Sequence, residues 1–201
     1  MMLQFMGQPV RFWALPLLAV LLLALTACSG GTGSGGGITI PQSDATPPGL
    51  SFGTGQPNGQ NVTVNAGGPA ASMKLNSPTG VLNLTATAND PDSGIRTVQI
   101  WIETRLTVCP AAGPCTLVNP GLGSQPNFES TSPAKNPGDT ASASSILAQA
   151  LDLSTMISPA GAPQGGHRTT SLVMWAVAVN YLGGQTRSPD LTATWCVGNC
   201  P

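Results

Sequence analysis

Glycine and proline punctuate this chain too densely for long helices. Of its 201 residues, 25 are glycine and 19 are proline. Each proline removes a backbone donor, and each glycine raises the entropic cost of a helix interior. Short strands joined by turns suit such a chain better. Charged residues make up only 7% of it and the net charge is −1, so the basic surface that nucleic acid requires is missing. A coiled coil and a multi-span membrane protein are disfavoured on the same composition.

Residues 12–25 read FWALPLLAVLLLAL, an apolar run preceded by Arg11. The run falls short of the roughly 20 residues that span a bilayer, and its length and flanks match the h-region of a secretory signal peptide. It closes on Leu25-Thr26-Ala27-Cys28, which resembles the lipobox of bacterial lipoproteins. That resemblance implies cleavage after Ala27, diacylglycerol in thioether linkage on Cys28 and acylation of the new amine. The chain is then expected to be exported and anchored by membrane lipid in the bacterial cell envelope, and Ser29 favours the outer membrane weakly. Residues 1–27 read as signal peptide and 28–59 as a Gly/Ser/Pro-rich tether that lays at most one edge strand, near Leu50-Ser51-Phe52, on the domain. Gly31-Thr32-Gly33-Ser34-Gly35-Gly36 fits G-x-G-x-x-G in letters only. No buried strand precedes it and no helix pattern follows.

From about residue 60 apolar residues alternate with period two. Val62 and Val64, Met73 and Leu75, then Leu82, Leu84, Ala86 and Ala88 mark three strands, and Val98, Ile100 and Ile102 a further one. Residues 119–140 read as a loop. Residues 146–153 suit either a helix face or a strand ending at Leu153, and the shortness of the run favours the strand. A strongly apolar strand over 171–181 and an alternating Leu191, Ala193 and Trp195 complete about seven, the number expected of a sandwich. The segments NLTATANDPDSGIRTVQIWIE, ALDLS and SLVMWAVAVNYLGGQTRSPDLTATW resemble strands of bacterial Ig-like and fibronectin-III-like domains. The resemblance implies an all-β fold, a single antiparallel Ig-like/fibronectin-III-like β-sandwich over 60–201 behind a signal peptide and flexible tether. A Pro-rich insert at about 109–140 departs from the family pattern and leaves the fourth strand open.

Four cysteines remain once Cys28 is acylated. Cys109 and Cys115 enclose a turn-forming sequence, as do Cys196 and Cys200, so local disulfides are the first expectation and cross-links between the two pairs the second. Zinc is disfavoured, because separations of five and three residues are not the ribbon spacing. Asp90 and Asp92 could offer oxygens to calcium, but position twelve of an EF-hand loop would fall on Trp101 rather than a glutamate. A turn whose carboxylates bond backbone amides is the plainer reading. His167, the single histidine, follows Gly165-Gly166 and reads as a solvated loop residue. No G-x-S-x-G occurs, and neither an enzyme nor a cofactor is expected.

If the strands at 98–102 and 172–179 are neighbours, Leu172, Met174, Ala176 and Ala178 point into the core. Val173, Trp175, Val177 and Val179 then share the outer face with Trp101. Such an apolar face is either a contact surface or the floor of a second small core roofed by residues 119–140. The expected function is non-catalytic binding, adhesion or scaffolding by a membrane-anchored envelope lipoprotein whose partner is an envelope protein or glycan. The alternative is a carbohydrate-binding module on the cell surface.

Overall fold

The computed structural model describes residues 37–55, 61–118, 125–134, 136–158 and 160–201. The signal segment, Cys28 and the Gly-rich start of the tether lie outside the described residues. A back sheet runs in the order β10 (Ser144–Asp152), β5 (Val81–Asn89), β2 (Gly49–Gly55), β3 (Asn61–Asn65), with every pair antiparallel. A front sheet runs β4 (Ala71–Lys74), β13 (Leu191–Gly198), β11 (His167–Asn180), β6 (Ile95–Cys109), β7 (Thr116–Val118). On it β12 (Gln185–Arg187) pairs with β11, and β8 (Phe128–Thr131) pairs with β6. The front-sheet pairs are antiparallel except β4 with β13, which is parallel. A separate two-stranded sheet joins β1 (Gly37–Thr39) to β9 (Thr140–Ser142).

The two large sheets stack as an all-β sandwich because period two gives each strand one apolar face. In β5 every second side chain is buried, Leu82, Leu84, Ala86 and Ala88 all at 0% exposure, while Asn83, Thr85 and Thr87 face out. Leu50, Phe52, Leu147 and Leu151 join them from the back sheet. Val98, Ile100, Ile102, Leu172, Met174, Ala176, Ala178, Leu191 and Ala193 meet them from the front.

Three readings of the sequence need correction. The stretch taken as tether to residue 59 contributes β1 and β2. Moreover β2 is no edge strand, since it lies between β5 and β3 with Phe52 fully buried. The 146–153 run is a strand, but it ends at Asp152. The Asp152 carboxylate then accepts the Ser154 amide and caps one helical turn, α1 (Leu153–Met156), which buries Leu153. Finally, residues 119–140 are not all loop: they carry β8, and β9 opens at Thr140, while the apolar stop at 116–118 forms β7.

Candidate functional site: the outer face of the front sheet

The longest pairing among the described residues, β6 with β11, puts Trp101 directly opposite Trp175. Their neighbours Ile100, Ile102, Met174 and Ala176 are core residues, so both indoles stand on the outer face. There the rings stack nearly parallel, 3° apart in plane with centroids 6.2 Å apart, and both are half-buried. Such offset pairs contribute about 0.5–1.5 kcal/mol beyond their burial.

The turn at Gly183-Gly184 returns the chain along the far edge of β11, where Arg187 pairs with Val177. Its guanidinium carbon sits 4.6 Å from the Trp175 ring centroid. Because β6 and β12 flank β11 on opposite edges, Trp175 is held between Trp101 on one side and Arg187 on the other. Asp190 pairs with the Arg187 guanidinium. On the β8 side, the Trp101 indole donates to Gln99 Oε1 at 3.2 Å, and the Gln99 amide donates to Glu129 Oε1 at 3.2 Å. Along β6, the Glu103 carboxylate accepts from Arg105 Nε and Nη2 at 3.0 and 2.8 Å. The result is an aromatic pair bordered by polar groups, with Arg187 and Glu103 in ion pairs and Glu129 bonded to a neutral amide.

Of the residues expected on this face, Trp101, Trp175, Val177 and Val179 are half-buried there. Val173 also points to this side, but at 5% exposure it is not available for contact. It lies in register between Glu103 of β6 and Thr192 of β13. The described part of the insert takes neither expected role in full. As β8 it extends the sheet edgewise beside residues 97–100 of β6, with Phe128 packed against the core. Residues 119–124 are outside the described residues. Arg187 was missed in the sequence, although Gln185 and Arg187 alternate in phase after a Gly-Gly turn and so share one face.

The Asp90 turn is a structural knot rather than an ion site. Asp90 is 2% exposed, and its Oδ1 accepts the amides of Asp92 and Ser93 while Oδ2 accepts from Asn180 Nδ2 and the Ser93 hydroxyl. Those bonds occupy the lone pairs calcium would need, and the Asp92 side chain is exposed. At the other end of the front sheet, Cys109 is joined to Cys115 and Cys196 to Cys200. His167 is not a loop residue there. It opens β11, half-buried, with Cys109 opposite it.

No protein-family model matches the chain, and a search of the curated proteins found no match.

Proposed function

We propose that this chain is a membrane-anchored lipoprotein of the bacterial cell envelope, acylated on Cys28, whose Ig-like sandwich binds an envelope partner without catalysis. The observation that carries the binding role is the Trp101–Trp175 stack, half-buried on an outer sheet face and backed by Arg187. Aromatic and arginine side chains are the residue types that dominate contact energetics. Their pairing in advance lowers the entropy lost on binding.

A protein partner suits this face better than a sugar. Stacking on a pyranose needs an open ring face, and Trp175 already carries the Trp101 ring stacked beside it and the Arg187 guanidinium over it. The single histidine stands against a disulfide, which supports the non-catalytic reading.

Mass spectrometry of the mature amino terminus tests the anchor. The expected species begins at an acylated Cys28, and an unmodified terminus elsewhere contradicts it. Retention of envelope components on the immobilised domain tests the face. One envelope protein should be retained by the wild type, resist competition by soluble glycans, and be lost with W101A/W175A. Retention that soluble sugars abolish would transfer the assignment to a carbohydrate-binding module.

A further inference from the structure

The two disulfides and the only histidine gather at one end of the front sheet. Cys109 ends β6, His167 opens β11, and the two are directly paired. Cys115 comes back to them around a six-residue separation. Gly166 brings β11 this close, because a Cβ there would run into the backbone of Cys109 and Pro110. Consequently the Sγ atoms of Cys109 and Cys115 and an imidazole nitrogen of His167 all lie within 4.8 Å of one another. Among the described residues the imidazole makes no hydrogen bond. Cys109 is buried, His167 half-buried and Cys115 exposed. The cluster is therefore rooted in the sheet and open on one side.

Two thiolates and an imidazole are the donors that zinc-type divalent ions prefer, at about 2.3 Å from sulfur and 2.0–2.1 Å from nitrogen. While the sulfurs are bonded to each other they are poor ligands. We infer that reduction of Cys109–Cys115 unmasks a Cys₂His site for a zinc-type divalent ion, with water in the fourth position. The reductant is a dithiol: it gives two electrons and two protons to the disulfide and itself becomes a cyclic disulfide. The metal then displaces the two thiol protons, so binding is favoured as pH rises. The exposed Cys115 turn moves to open the sulfur pair, while Cys109 and His167 stay on paired strands. This ligand set differs from a four-cysteine ribbon, because Cys196 and Cys200 take no part. It rests on the cluster alone and is independent of the tryptophan face.

The mature chain, reduced anaerobically with a dithiol and freed of it, is titrated with Co²⁺ and then Zn²⁺. The expected result is one Co²⁺ per chain with a thiolate-to-cobalt charge-transfer band that Zn²⁺ abolishes. The oxidised chain should give no band. His167→Ala should weaken binding by more than about tenfold, the loss seen even for outer-shell partners. Bound Zn²⁺ should shield Cys109 and Cys115, but not Cys196 and Cys200, from alkylation as mapped by mass spectrometry. Far-UV circular dichroism should be preserved on reduction. Loss of the fold on reduction, absence of the band, equal affinity in His167→Ala, or shielding of Cys196 and Cys200 would each overturn the inference.

Discussion

Asn180 uses both ends of its buried amide. Its Oδ1 accepts the amides of Leu182 and Gly184, and its Nδ2 reaches Asp90 Oδ2 and the Thr46 carbonyl. One side chain thus ties the end of β11 to the Asp90 turn and to the chain before β2. Asn180→Ala would leave several buried groups without partners, and urea unfolding should show a loss of about 2–3 kcal/mol. Thr170 gives the opposite sign. It is 2% exposed and its hydroxyl has no partner among the described residues. Thr170→Val keeps the shape and removes the orphan, so the same measurement should show a gain of up to ~1 kcal/mol. The pH dependence also belongs to single residues. The Ser93 hydroxyl, with the Thr46 amide, holds the Asp44 carboxyl below its ordinary 3.8, and the Ser154 hydroxyl and amide do the same for Asp152. A lowered folded pKa gives stability that is present above the unfolded value and disappears as pH falls through the folded one. These two groups therefore leave the melting temperature flat from pH 8 to about 5 and lower it only below about pH 4, which thermal scans across pH would check.

Strand β2 carries the main lesson at the scale of elements. Its sequence, GLSFGTG, shares its composition with the tether before it, and only Leu50 and Phe52 mark an apolar face. Gly53 has a packing reason: a Cβ there would meet Thr63 Oγ1 at 2.9 Å and the Val62 carbonyl at 3.0 Å. The glycine that looked like linker lets β3 lie close. Phe52→Ala should cost about 3–5 kcal/mol in chemical denaturation. A chain beginning at residue 60 should lose its cooperative transition, because β5 would then lack its β2 neighbour. The strands β5, β6 and β11 were legible because their apolar residues alternate over long runs. The short β1, β7, β8 and β9 were not, since three or four residues cannot establish a period and their pairing is set by distant partners. The 146–153 ambiguity has a physical cause as well. All of the run but Leu153 lies in the strand, and so few apolar positions over eight residues fit either period.

At the scale of the whole molecule, pattern decided the architecture and register decided the site. Period two was enough to expect a sandwich and to put Trp101 and Trp175 in outward phase. Sequence could not show that the two rings are paired across β6 and β11, that Arg187 returns onto Trp175, or that Cys109 faces His167. Each of these depends on which residue of one strand lies opposite which residue of another. The central claim is that the Trp101–Trp175 face is kept for contact and not for stability. It is tested most directly by the unfolding free energy of W101A/W175A, measured by urea denaturation beside Phe52→Ala. Two half-buried rings and their stacking should be worth about 2–3 kcal/mol together, less than Phe52 although two side chains are removed, with an unchanged m-value. A loss of about 4 kcal/mol or more, equal to that of Phe52→Ala, would make the pair a second core and contradict the account.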